Sequence, residues 1–140
     1  LKHILTRPNG YIVNISSMGG FFPFPGQTIY GASKSALKIF SEGLYAELLD
    51  TKVKVMVVFP GAINTDIAKN SNVELNNDGS YKMLTPEKTA SLIINGIKKN
   101  KFQLYVGNDS KVMHFLYKLS PKFAIKMVNK KTKEFKKQFS

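Results

Sequence analysis

The sequence contains no cysteine, which excludes disulfide bonds, thiolate metal sites and a cysteine nucleophile. Its apolar runs fall short of the roughly 18 residues that cross a bilayer, so no transmembrane helix is expected. The lack of cysteine fits a reducing compartment, and we expect a cytoplasmic location. The two histidines, His3 and His114, lack the spacing of metal ligands, and we assign no metal to them.

Acidic side chains are scarce in the C-terminal third of the chain. Residues 98–140 hold twelve lysines against Asp109 and Glu134, which gives this segment a net charge of +10. Residues 1–97 hold nine basic and seven acidic residues, or +2, so the total is +12. Any electrostatic partner would therefore be met at the C-terminal third.

The hydrophobic pattern alternates between short β-branched runs and longer helical repeats. A chain of 140 residues is long enough for one domain with a single core. Two successive strand–helix–strand units predict an α/β fold with a parallel sheet and helices on its faces. Thr85 and Pro86 are predicted to begin the second of these helices. The predicted strands are residues 11–15, 52–60 and 102–106. Two helices are predicted at about 28–49 and 85–99, and residues 1–5 are predicted to be the end of another helix.

Two further segments are predicted to lie outside the sheet. Residues 60–84 form a long, irregular, Asn-rich stretch, and loops of that length are usually functional lids or disordered. From Ser110 onward the pattern indicates two helical pieces broken near Pro121, so that 110–140 forms a basic helical tail.

Tyr30 and Lys34 lie one turn apart on a predicted helix. Their side chains are therefore expected on one face, with Cβ atoms about 5–6 Å apart. A fixed ammonium beside a phenol favours the phenolate, so such a pair can act as an acid/base device. The spacing alone is weak evidence, because six Tyr and twenty Lys in this chain give about one such pair by chance.

Two other segments support a site around this pair. Ser17 lies thirteen residues before Tyr30, directly after a predicted strand, and Pro60–Thr65 follows the next strand. Open α/β sheets bind their ligands at the carboxyl ends of parallel strands, so all three segments are expected at one edge of the sheet. The adjacent Ser16 is the alternative to Ser17, and the thirteen-residue interval favours Ser17.

These motifs, taken together and in this order, resemble the short-chain dehydrogenase/reductase family. The resemblance rests on the serine at the end of a strand, YGASK at Tyr30–Lys34, and PGAINT at Pro60–Thr65. It implies a Rossmann-type, three-layer α/β fold. It also implies an NAD(P)-dependent oxidoreductase that interconverts an alcohol and a ketone or aldehyde by hydride transfer.

The resemblance assigns a role to each matching residue. Tyr30 would exchange a proton with the substrate oxygen, Lys34 would assist it and bind the nicotinamide ribose, and Ser17 would hold the same oxygen. The nicotinamide end would be lined by Pro60, Gly61, Ile63 and Thr65. Residues 66–84 match the substrate loop of the family.

The glycine-rich phosphate turn of the family, TGxxxGxG, is missing from these 140 residues. We therefore expect residues 1–140 to be the C-terminal part of a single NAD(P)-binding domain, entered at the helix before the fifth strand. On its own this part is expected to be inactive. The cofactor is expected to be NADP or NAD, with NADP preferred, and the intact protein is expected to be a homo-oligomer with a small-molecule substrate.

The basic tail leaves other interpretations open. The preferred one is an ordinary C-terminal helix with its lysines in solvent, followed by weak peripheral contact with an anionic membrane. Non-specific nucleic-acid binding ranks third, and no RNA-binding motif supports a specific nucleic-acid partner. The alternatives to an enzyme are thus a catalytically incompetent fragment or a basic, peripheral membrane-binding module.

Overall fold

A computed structural model of the protein describes residues 1–65 and 83–138, with the side chains of the last helix described to residue 133. The predicted order of elements is confirmed, and their boundaries differ from prediction by at most two residues. The fold is the predicted Rossmann-like α/β arrangement. The elements are α1 (Lys2–Leu5), β1 (Gly10–Ile15), a 3₁₀ turn (Met18–Gly20), α2 (Thr28–Glu47), β2 (Val53–Pro60), α3 (Pro86–Lys98), β3 (Gln103–Val106), α4 (Asn108–Leu119) and α5 (Pro121–Gln138).

The described sheet has three parallel strands in the order β1–β2–β3, so β2 is the central strand. Ile12 lies opposite Val55 in the first pair of strands, and Val58 lies opposite Leu104 in the second. The side chains of residues 55–59 are all buried. A central parallel strand is covered on both faces, which explains why its sequence, VKVMVVFP, is nearly continuous in apolar residues.

Successive side chains of β2 belong to two different cores. Val53 and Val55 pack with Leu48 and with partly buried side chains of α1, β1 and α2. Met56 and Val58 pack instead with Val106 and with partly buried side chains of α3 and its neighbours. The helices α2 and α3 therefore cover opposite faces of the sheet. Both crossovers step in the same direction along the sheet, but their helices lie on opposite faces. The two crossovers therefore have opposite hands, and one of them has the rare left-handed sense.

The caps of the helices explain where several elements begin. Thr85 Oγ1 accepts a hydrogen bond from the Lys88 N–H (3.2 Å), and Pro86 occupies the first turn, which confirms the predicted start of α3. Ser110 in the first turn of α4 donates its hydroxyl to the Phe59 carbonyl (2.8 Å), which fixes α4 to the end of β2. Within residues 1–65 and 83–138, no helix combines the length and apolar character needed to cross a bilayer.

We expect Leu48→Ala to lower the free energy of unfolding by about 2–5 kcal/mol, because it opens a cavity beneath the end of α2. Leu48 is 5% exposed, whereas its neighbour Leu49 is 61% exposed and provides a matched control. Leu49→Ala should change the stability by no more than about 0.5 kcal/mol. Urea unfolding of both variants measures the difference, and equal losses would contradict the assigned core.

Candidate active site

The segment after β1 turns sharply over the start of α2. The Ser16 N–H donates to the Val58 carbonyl (2.8 Å), so β1 stays paired to β2 up to the turn. The chain then enters the 3₁₀ turn, where Ser17 Oγ accepts a hydrogen bond from the Gly19 N–H (3.2 Å). The Ser17 hydroxyl acts here as an acceptor, which leaves its proton available for donation to another oxygen.

Ser16 has a different environment from its neighbour. Its side chain is buried, and its hydroxyl donates to the Lys34 carbonyl (2.9 Å) of α2. Gly20 lies against the same carbonyl, since a Cβ built there would be 2.9 Å from the Lys34 oxygen. Ser16 therefore holds the turn against α2, whereas Ser17 remains only partly buried. This difference supports the choice of Ser17 over Ser16.

Glycines allow the turn to approach the Tyr30 ring. A Cβ at Gly19 would lie 3.2 Å from Tyr30 Cε1, and one at Gly31 would lie 3.3 Å from the Gly19 carbonyl oxygen. The Lys34 ammonium lies over the same ring, 5.7 Å from its centroid, and Tyr30 is 45% exposed. The turn that carries Ser17 thus meets the helix face that carries Tyr30 and Lys34.

The segment that follows β2 is held from both sides by main-chain hydrogen bonds. The Gly61 N–H donates to the Val106 carbonyl (2.8 Å). Ile63 forms a parallel bridge with Leu84, in which Leu84 donates to the Ala62 carbonyl (3.2 Å) and the Asn64 N–H donates to Leu84 (2.9 Å). The N–H and C=O of Ile63 have no hydrogen-bond partner within the described ranges. In a parallel bridge these two groups point away from the partner, so they face the other side of the segment.

Asp109 is a structural part of this edge that the sequence interpretation missed. It lies in the first turn of α4, and its Oδ2 accepts a hydrogen bond from the Ala62 N–H (2.7 Å). Cβ atoms built at Gly61 and Gly107 would both overlap its carboxylate, so the carboxylate fills the space beside both glycines. Gly107 also has φ of +98°, a conformation that favours glycine. The available sequence signal was an acidic residue two positions after the glycine that ends a strand.

Aromatic side chains pack beneath the turn, between the sheet and α4. Phe21 makes edge contacts with Phe59, Tyr105 and His114, and the His114 ring stacks on Tyr105 with centroids 4.0 Å apart. Burial, and then the neighbouring Glu42 carboxylate, raises the pKa of Tyr105 to about 12. Burial, and then two nearby lysines, lowers the pKa of His114, which favours a neutral imidazole at pH 7. This cluster is therefore structural support for the turn.

The described structure thus places the turn that carries Ser17 against the start of α2, which carries Tyr30 and Lys34, and it places Pro60–Thr65 at the end of the adjacent strand. The other motif residues serve local structure: Ser33 donates to the Tyr30 carbonyl (2.7 Å), and Asn14 donates to Ser41 (2.9 Å). The predicted substrate loop, 66–84, lies outside the described residues except for its last two positions.

We expect the destabilising effects of Gly61→Ala and Asp109→Ala to be non-additive. Gly61→Ala forces a methyl group into the Asp109 carboxylate, and Asp109→Ala leaves the Ala62 N–H without its acceptor, so each should cost about 1–3 kcal/mol. In the double variant the absent carboxylate makes room for the methyl group, and the loss should be smaller than the sum by about 0.5 kcal/mol or more.

Urea unfolding of the single and double variants tests this coupling. Gly43 in α2 is a matched control, because no atom lies within 4 Å of a Cβ built there. Gly43→Ala should stabilise the protein by up to about 1 kcal/mol. Strict additivity between positions 61 and 109 would mean that the carboxylate does not fill this space.

Sequence comparisons extend the resemblance over most of the chain. A family model described as short chain dehydrogenase matches residues 1–76, more than half of the 140 residues. The SadH protein of Mycobacterium tuberculosis is 35% identical over 130 residues, which cover 85% of this chain and 47% of SadH. A 3-oxoacyl-(acyl-carrier-protein) reductase of Bos taurus is 43% identical over 75 residues, which cover 54% of this chain and 32% of the reductase.

Solved structures agree with these relatives. A short-chain dehydrogenase from Streptomyces avermitilis superposes with a TM-score of 0.72 at 27% identity, covering 96% of this chain and 56% of its own. One from Sphingobium yanoikuyae, in complex with NADPH, has a TM-score of 0.65 at 26% identity, covering 74% of this chain and 40% of its own. The chain spans about half the length of SadH and about a third of the bovine reductase. It belongs to the short-chain dehydrogenase/reductase family.

Proposed function

We propose that the chain carries the catalytic residues of an NAD(P)-dependent oxidoreductase that interconverts an alcohol and a ketone or aldehyde. The observation that carries this proposal is the docking of the Ser17 turn onto the helix face of Tyr30 and Lys34. This contact lies at the carboxyl edge of a parallel sheet, where such folds bind their ligands.

Each of the three side chains has a distinct role in the proposed reaction. During reduction, Tyr30 donates its phenolic proton to the carbonyl oxygen, and during oxidation it accepts the proton from the alcohol. The Lys34 ammonium, 5.7 Å from the ring centroid, stabilises the negative charge that develops on the phenol. Ser17 donates its hydroxyl to the same substrate oxygen and orients it towards Tyr30.

The segment after β2 fits the nicotinamide end of the cofactor. Within the described residues, the N–H and C=O of Ile63 lack partners and point away from Leu84, so together they can receive a carboxamide, which also has one donor side and one acceptor side. Pro60, Gly61 and Thr65 flank this pair, and Asp109 holds the backbone in place. When bound, the nicotinamide supplies or accepts the hydride at the substrate carbon.

The choice of cofactor is supported by a relative of the chain, the Sphingobium dehydrogenase that binds NADPH. We propose NADP or NAD, with NADP preferred. Residues 1–140 are then the C-terminal part of one NAD(P)-binding domain, with 66–84 as its substrate loop. The exposed apolar residues of α2, Ile29, Ile39 and Phe40, offer a contact for a homo-oligomer of the full-length protein.

We expect Tyr30→Phe in the full-length protein to lower kcat by about 10²–10⁴-fold, because it removes only the proton-transferring hydroxyl. Binding of NADPH or NADH should be largely retained, as measured by fluorescence titration. Tyr45→Phe on the same helix is the matched control and should leave kcat close to that of the wild type. Turnover that survives in Tyr30→Phe would refute the assigned role.

The 140-residue chain assayed alone is expected to oxidise neither NADPH nor NADH with carbonyl substrates. These residues contain no glycine-rich turn to bind the cofactor pyrophosphate. Absorbance at the reduced-nicotinamide band measures the reaction, with the full-length protein as the positive control. Steady, enzyme-dependent oxidation by the short chain would contradict this expectation.

A further inference from the structure

The outward face of α4 carries a stripe of exposed apolar side chains, formed by Val112, Phe115 and Leu119. Each of them is more than half exposed. Their spacing of three and four residues aligns them within about 60° of the helix circumference. The opposite face, which includes Ser110 and His114, packs on the end of β2 and on Phe21, the residue directly after the 3₁₀ turn. The stripe therefore has no packing role in the described core.

The surroundings of the stripe are strongly basic. Lys111 and Lys118 border it on α4, and Lys122 follows in the first turn of α5. None of these three pairs with a carboxylate among the described side chains. Residues 110–133 hold seven lysines and no Asp or Glu. The exposed Phe123 extends the apolar character into α5.

We propose that the outward face of α4, continued by the start of α5, docks onto an anionic lipid surface. The lysines beside the stripe would repel a second copy of this basic chain, so they favour an anionic partner. A narrow apolar stripe beside lysines matches helices that insert into the headgroup boundary while their cations meet anionic lipids. The proposed partner is thus an anionic lipid bilayer, whose headgroups meet the lysines and whose apolar interior receives the exposed apolar side chains.

Co-sedimentation of the full-length protein with vesicles tests this proposal. Binding is expected to vesicles of phosphatidylcholine mixed with phosphatidylserine, and only weakly to phosphatidylcholine alone. Phe115→Ser/Leu119→Ser and Lys111→Gln/Lys118→Gln should each weaken binding to the mixed vesicles by about tenfold or more. The matched controls on α3 and at its C-cap, Ile94→Ser and Lys98→Gln/Lys99→Gln, should bind like the wild type.

A second readout distinguishes lipid insertion from simple charge attraction. The printed sequence contains no tryptophan, so Phe115→Trp adds a reporter to this part of the protein, with Ile94→Trp as its control. Brominated lipids should quench the added fluorescence at position 115 and not at 94. The proposal is overturned if neutral and anionic vesicles bind equally, if the serine variant binds like the wild type, or if the indole at 115 is not quenched. It is also overturned if RNA binds as tightly as the mixed vesicles and depends on the lysines alone.

Discussion

The strand β2 packs against helices on both of its faces, because its alternate side chains enter separate cores on opposite faces of the sheet. Burial on both faces fixes the position and direction of β2. The segments at the carboxyl edge of the sheet are held in turn by the end of this strand. Ser16 is bonded to Val58 on one side of that end, and Gly61 is bonded to Val106 on the other. The two segments that carry the proposed site therefore take their positions from the same strand.

Close approach of backbone is the second requirement of the site. The turn after β1 can lie on α2 because Gly19, Gly20 and Gly31 present no side chain at the contact. The serine pair then divides two tasks, with Ser16 buried against the Lys34 carbonyl and Ser17 left partly accessible. The hydroxyl of Ser17, which we propose to be functional, thus follows directly after the structural hydroxyl of Ser16.

Local sequence signals predicted the helices and strands well, whereas the sequence carried no signal for contacts between distant residues. The apolar run of β2, the repeat of α2 and the Thr85 cap each depend on neighbouring residues, so they could be identified from the sequence alone. The opposite hands of the two crossovers could not, because hydrophobic periodicity does not encode the face on which a helix packs. The contact between Asp109 and Ala62 was also missed, since nothing local to either residue indicates a partner 47 positions away.

That contact has a consequence for the order in which the protein takes shape during its synthesis. Asp109, whose carboxylate fills the space beside Gly61, is synthesised 48 residues after that glycine. It lies in α4, which begins just after the last described strand. On the ribosome, the segment after β2 therefore lacks its anchor until residue 109 has left the exit tunnel. The nascent protein can pair β1 with β2 before residue 109 is made, whereas this segment gains its final shape only afterwards.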